Sequence, residues 1–513
     1  MTTTNNNSIA AFLSKNAVIL VFLAFVVFGF SVGTFTASSF VNDIMSRFFR
    51  NGVLVLALIV PVMAGLGLNF GIVVGALAGM LSIIFVRYHY ALYVDLGFLY
   101  QGHLFSGMGG IIFCFIIATP IAILFGYLTG LLFNKTRGQE MVAALIVGFF
   151  AEGLYMIFVL FFIGGVIPVR WGHRMINPVP EGARPVGVRG SFEMGLPAEE
   201  MTGRGAGNDI PGMARAINNV WQMEFVYALA LLALVGFLFL IIRRIYIKRN
   251  PALFLLREPV WAFAVKLVAC GALLAFALFG SAQIYYWYNV LQATPEVAGR
   301  LDHLPGISHF AVEISRINPV PMLIAIIIIV IGLFIVYFSR TKLGQDCRSV
   351  GHSQQIANVA GIDVDRTRII ATIMSTVLAA WGMIIYLQDM GHVSTYTVQR
   401  NIGFFSVAAI LVGGATVANA SVKNAMVGLV LFHGMFAVSP AVGTFLFNDE
   451  NAGEYMRTFM VYGVIGLSLG LYVWKMHKEA KAKERLDGEQ VMSSGFTESQ
   501  ENHGSDETPK VGD

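Results

Sequence analysis

Charge is what this sequence has least of. Asp, Glu, Lys and Arg supply 12% of its 513 residues, half the ~25% of an ordinary soluble domain. Most of the chain must therefore meet lipid or other apolar helices. It holds no basic block of the kind that grips nucleic acid, and the formal net charge is only +4. No Gly-x-x-x-x-Gly-Lys-Ser/Thr phosphate loop occurs, so a nucleotide-hydrolysing cradle of that type is excluded. No metal-ligand cluster, nucleophile elbow or pair of carboxylates stands in a plausible site either. Cysteine is scarce: Cys114 and Cys270 lie in apolar runs and Cys347 in a polar stretch, a spacing that supports neither a disulfide nor a metal framework. The first apolar run, Ala17–Ser31, has no small-residue cleavage site behind it, and reads as a retained helix or an uncleaved signal anchor.

What the chain has in excess is apolar length. Hydrophobic residues make up 56%, with 41 Phe and 54 Gly, and mean hydropathy is +0.71. A spanning helix needs about 20 apolar residues. Runs of that kind fall near 17–36, 52–68, 70–87, 107–133, 141–164, 224–243, 259–286, 320–339, 369–388, 403–418, 423–440 and 458–474. The fold class expected is an all-α, polytopic membrane bundle of about 10–12 segments, with a broken helix near Asn69. The organisation is an N-terminus at 1–16, first membrane helices at 17–164, an external insertion at 165–222, second membrane helices at 223–474 and a polar, disordered tail at 475–513.

Short basic loops set orientation. Arg243, Arg244, Lys248, Arg249 and Arg257 form one cluster; Arg340, Lys342, Arg348, Arg366 and Arg368 form another; Lys475 to Arg485 form a third. Alternating spans put all three on one side, so that side is cytoplasmic and both termini lie within. Arg47 and Arg50 fall on the other side and dissent.

Polar residues inside apolar runs are candidates for function. Glu152, about three turns into its run, is either a pathway acid or a structural acid paired to a neighbouring helix. His433 sits mid-run, and Gln388 with Asp389 ends another run near its outer end. At Asn69 the chain either unwinds to line a cavity, where freed backbone groups can hold a polar solute, or turns tightly between two ordinary helices. The stretch 344–368 is polar, lies between two strong apolar runs, and contains a short helix over Ser353–Ala360 that Gly361 is suited to end.

That last stretch resembles the cytoplasmic coupling loop of ATP-binding-cassette (ABC) importer permeases of the ribose, nucleoside and branched-chain amino-acid class, at Arg348, Gly351, Ala357, Ala360, Gly361 and Ile362. Three further stretches resemble the same family in the same order. The first is Gly67-Leu68-Asn69-Phe70-Gly71 with Gly75. The second is Lys135, Gly138, Glu140 and Met141-Val142, where Gln139 and Gly148 stand in place of the asparagines common in the nucleoside branch. The third is Ala408 to Gly414, followed by Asn419 to Asn424 in place of further glycine. Together they cover about 52–164 and 320–440.

The resemblance implies a transport subunit rather than an enzyme, in a bacterial inner membrane, carrying a small polar solute, with a nucleoside or simple sugar favoured over a branched-chain amino acid. It implies cytoplasmic ABC ATPase subunits, a second permease subunit, identical or paralogous, and an external substrate-binding protein. ATP-Mg would sit in the ATPase and no cofactor in this chain. Asn69, Phe70, Gly71, Glu152, Gln388 and His433 are then the candidates for the pathway. The alternatives are an ion-coupled secondary transporter built on Glu152, which would show inverted repeats, and a lipid-modifying enzyme, which would need clustered His, Asp or Glu.

Overall fold

The computed structural model describes residues 19–95, 105–162, 191–193, 213–249, 260–293, 314, 316–394, 398–416, 419–449 and 451–466. The expected N-terminus at 1–16, most of the insertion at 165–222 and the tail at 475–513 lie outside these. The described chain is helical, and eight of its helices are long and apolar enough to cross a membrane. A ninth arises if one bent pair counts as a span. The chain is a multi-pass membrane protein.

A short apolar helix, α1 (Ile19–Val32), precedes α2 (Ala37–Ala57) and α3 (Ile59–Met63). Together α2 and α3 make one 27-residue span. It begins fifteen residues before the run at 52, because Thr36 caps it by accepting the Ser39 N–H at 3.2 Å. Asp43, Arg47 and Arg50 are thus helical. The next span, α4 (Ile72–Asp95), precedes α5 (Gly107–Lys135) and α6 (Glu140–Ile157). Strand β1 (Ser191–Glu193), a short helix α7 (Ala216–Val220) and β2 (Gln222–Met223) follow. Next come α8 (Phe225–Arg249) and α9 (Val260–Ala293), then β3 (Val320–Pro321) and α10 (Met322–Phe338).

The polar stretch after α10 folds as two helices, α11 (Lys342–His352) and α12 (Gln354–Val359), with α11 bent 74° away from α10. Then come α13 (Val364–Met390), β4 (His392–Ser394), α14 (Val398–Val412), α15 (Val422–Phe447) and a helix over 451–466, α16.

The core is the middle of the bundle. Every residue from Val53 to Val62 is buried, and α4 is buried on nearly every side from Ile72 to Met80. A helix that is apolar all round belongs inside a packed body or a membrane. These two helices pack on α13, whose inner faces are small or hydroxylic: Ala371, Thr372, Ser375, Thr376, Ala379, Ala380 and Gly382 are all buried. Close approach of backbones is how membrane helices gain packing energy. A Cβ at Gly75 would meet Thr376 and Ala379, and one at Gly126 would meet Ile373 and Thr376. The Thr376 hydroxyl is within 3.0 Å of the Ala122 carbonyl and 2.9 Å of the Ile373 carbonyl, so that hydroxyl is paired across the seam.

Around this centre, α5, α6, α8, α9 and α10 leave much of their apolar surface exposed. The α8–α9 hairpin stands apart, with only 11% and 6% of its two spans buried.

Candidate functional site

One end of the bundle is organised around α11 and α12. Each is capped by the residue before it: Thr341 accepts from Gly344 N at 3.3 Å and Ser353 from Ile356 N at 3.3 Å. The helix over Ser353–Ala360 is present as α12; α11 was not foreseen, although Gly344, Cys347 and Val350 are spaced to bury one face. Val350, Ala357 and Val364 form a small core with Ile362 against it. Burial, with Asp346 beside it, pushes the Cys347 thiol up to about 11. Gly351 packs against the Met63 carbonyl and Gly65, so α11 rests on the turn that follows α3. Gly361 ends α12 with φ +78°. The outward side carries Arg348, Ala360 and Gly361, and beside them Ile356 is 72% exposed and Val359 91% exposed. Two aliphatic side chains on a six-residue helix are thus left standing in solvent.

Arg368 ties this platform to the bundle. It is fully buried, and it donates to Glu140 Oε1 at 2.6 Å, to the Phe133 carbonyl at 3.1 Å and to Gln354 Oε1 at 3.4 Å. One guanidinium therefore joins the end of α5, the start of α6, the start of α13 and the start of α12. Arg137 pairs with Asp365 alongside, and Asn134 donates to the Asp365 carbonyl at 3.0 Å.

Farther into the bundle, the chain does break at Asn69. The break is a turn over 64–71 between two antiparallel helices, not an interruption of one. Gly65 and Gly67 take φ of +72° and +68°, and Asn69 Oδ1 accepts the Gly71 N–H at 2.9 Å. Asn69 Nδ2 is buried with no hydrogen-bond partner among the described residues. Phe70 leaves the turn to meet Phe404 at 5.7 Å between ring centres.

In the same cleft lie Gly148, Phe149, Glu152 and Arg400. Glu152 is 3% exposed and accepts from Arg400 Nε at 3.0 Å and Nη2 at 2.9 Å, and from Gln399 at 3.3 Å. A two-pronged guanidinium pair of this kind is the strong form of the interaction. The Arg400 side chain is itself 43% exposed.

Gln388 is at the opposite end, fully buried. The segment that closes the insertion seals it: the Arg215 N–H meets its carbonyl at 2.7 Å, the Ile217 N–H meets its Oε1 at 3.2 Å, and its Nε2 donates to Asn218 at 2.6 Å. Neighbouring Asp389 accepts from Arg50 and from Asn218, both at 2.6 Å. His433 is in neither place. It is 3% exposed in α15, beside Phe432 at 5.2 Å, and neither ring nitrogen has a hydrogen-bond partner among the described residues.

The structure thus brings Phe70, on the Asn69–Gly71 turn, together with Glu152, and leaves Gln388 and His433 apart from them. Arg400, Phe404, Ile356 and Val359 carry no signal of their own in the sequence, and Arg368 stands there only as a basic residue at the membrane boundary.

A platform joined to spanning helices through one buried arginine suits a part that is pushed from outside the membrane. The family described as the branched-chain amino acid transport system / permease component matches residues 213–469. The chain belongs to that family. The match begins at the segment that seals Gln388 and runs through α16.

Nucleoside ABC transporter permease protein NupB of Lactococcus lactis subsp. cremoris (strain MG1363) is 26% identical over 171 residues, 33% of this chain and 43% of that protein. Nucleoside ABC transporter permease protein NupC of the same organism is 29% identical over 148 residues, 29% of this chain and 42% of that protein. Xylose transport system permease protein XylH of Haemophilus influenzae (strain ATCC 51907 / DSM 11121 / KW20 / Rd) is 29% identical over 115 residues, 22% of this chain and 30% of that protein. The chain spans less than half the length of these curated relatives. No solved structure matches it.

Proposed function

We propose that this chain is the membrane-spanning permease subunit of an ABC importer for a small polar solute, with a nucleoside or simple sugar favoured. The observation that carries the reading is α12, with Ile356 and Val359 bare at its surface and Arg368 fastening its base to three membrane helices. Exposed apolar side chains on a rigid, capped helix fit a groove in a soluble partner, and the buried arginine turns motion of that helix into motion of α5, α6 and α13. The partner is an ATPase subunit holding ATP-Mg; this end faces the cytoplasm of an inner membrane, and both termini lie on that side. A substrate-binding protein delivers solute to the opposite end. Kinship to nucleoside and xylose permeases supports the solute class.

The Glu152–Arg400 cleft supports a pathway wall. Glu152 lies twelve residues beyond Glu140, about 18 Å along the helix at ~1.5 Å per residue, deep within a hydrocarbon core about 30 Å thick. An arginine 43% exposed beside it is costly against lipid. That face therefore meets water or a second permease subunit, and Phe70, Phe149 and Phe404 give a flat-sided solute surfaces to slide past.

Pull-down of the detergent-extracted chain tests the reading. The intact chain should retain an ATPase, and both Ile356→Asp and Val359→Asp should lose it while keeping the same size-exclusion profile. A folded intact chain that retains no ATPase, yet moves solute with a proton gradient in vesicles, would make it an ion-coupled transporter.

A further inference from the structure

At the end of the bundle opposite α11–α12, four separate segments line a half-open cavity of about 340 Å³. That lies at the small end of the about 300–1,000 Å³ typical of ligand pockets. Its walls are α2, the stretch from α7 to β2, the residues leading into α10, and the end of α13. Its polar lining is mainly carboxamide, from Asn42, Asn218, Asn219, Gln222 and Asn318, set against an apolar wall of Met45, Phe49, Pro319 and Pro321. The only carboxylate among the lining residues, Asp389, is already bound by Arg50 and Asn218, both at 2.6 Å. Arg215, on the lining too, is exposed.

A carboxamide both donates and accepts, as a hydroxyl does, and it carries no charge to be neutralised. The hydrogen bonds within the wall leave capacity to spare. Asn42 donates to the Arg316 carbonyl at 3.0 Å and accepts from Asn318 N at 2.7 Å; Gln222 donates to Asn219 at 3.0 Å. Each amide has two N–H groups and two lone pairs, so each keeps sites for a ligand. A cation would have to compete with Arg50 for Asp389, and an anion would be left with Arg215, at the exposed rim. The floor is closed, because the segment carrying Asn218 also seals Gln388 at the end of α13.

We infer that this cavity is a waiting site for the polyhydroxylated part of the cargo, a pentose or the ribose of a nucleoside, held above the sealed end of α13 before the bundle opens. The inference rests on the importer reading for its place in transport; binding itself does not depend on that reading.

The test uses the full chain in lipid nanodiscs, with Cys270→Ser to remove the one partly exposed native thiol and Met45→Cys to place a thiol in the cavity wall. Its labelling rate by a membrane-impermeant maleimide is measured with ribose, xylose, uridine, leucine or inorganic phosphate added. A pentose or uridine at about twice its Kd should slow labelling about threefold, by simple occupancy, and saturably. Asn219→Ala with Asn318→Ala should abolish the protection without changing the rate in its absence. Protection by leucine or phosphate alone would overturn the inference in favour of an anion site at Arg215. A thiol that labels freely whatever is added, or one that never labels, would also overturn it. ATPase retention, read separately, decides the importer question: sugar protection without a bound ATPase keeps the site and removes the importer.

Discussion

Glu152 shows what a single residue reveals and what it hides. An acid three turns into an apolar run announces itself in the sequence; its partner does not, because the apolar run of α14 starts at 403 and Arg400 sits just ahead of it. Position in the chain said nothing of the 2.9–3.0 Å pair, which depends on α6 and α14 meeting. Removing one partner of a fully buried pair costs about 3–5 kcal/mol, and the 43% exposure of Arg400 puts this pair below that range, with the buried Glu152 carboxylate left uncompensated. Arg400→Ala should therefore lower the unfolding midpoint sharply, and Glu152→Gln added to it should recover much of the loss. Thermal unfolding of the four chains in one double-mutant cycle checks this; additive effects would mean that the pair is not coupled.

Cys347 offers a second residue-scale check. A thiol held near pKa 11 has only ~0.1% thiolate at pH 8, and the thiolate is the reactive form. Cys347 should remain unmodified by maleimide at pH 8 in the folded protein, and react once the chain is denatured.

At the scale of the element, the long apolar runs of α5, α8, α9 and α13 were plain in the sequence. What composition could not show was where polar residues join a helix. The first four turns of α2 carry Asp43, Arg47 and Arg50, and the Thr36 cap and pairing with other residues hold them in the helix. The same holds for α11, whose buried Gly344, Cys347 and Val350 are too sparse a stripe to stand out.

Two glycines of the α11–α12 platform separate shape from docking. A Cβ at Gly351 would run into the Met63 carbonyl, and overpacking of that kind costs about 1–3 kcal/mol. At Gly361 a Cβ meets nothing, and the left-handed backbone alone costs about 1–2 kcal/mol. Gly351→Ala should lower the unfolding midpoint by detaching α11 from the turn at Gly65. Gly361→Ala should leave the bundle's midpoint nearly unchanged, yet weaken ATPase retention by loosening the end of α12.

For the whole molecule, the short basic loops set the orientation, and Arg47 and Arg50 stand against them in the sequence. The structure removes their weight. Arg47 pairs with Asp43 at 2.8 Å, Arg50 with Asp389 at 2.6 Å and Arg457 with Glu454 at 2.9 Å, so these three arginines bring little net charge to that end. Val359→Cys should accordingly be labelled by an impermeant reagent only after cells are permeabilised, and Asn448→Cys in intact cells. The reverse pattern would invert the proposed topology. How the segments meet in space, including the carboxamide cavity, was not legible, because its walls come from stretches more than 340 residues apart in the chain.

The α8–α9 hairpin has a practical consequence for anyone extracting the protein. With so little of it resting on the rest of the chain, its order depends on whatever surrounds it, whether bilayer or neighbouring chain. A harsh, short-chain detergent should strip that support first, leaving a particle that still elutes as a single sharp peak while one corner has come loose. Purification judged by peak shape alone would miss the damage; a fluorophore on Cys270 would reveal it.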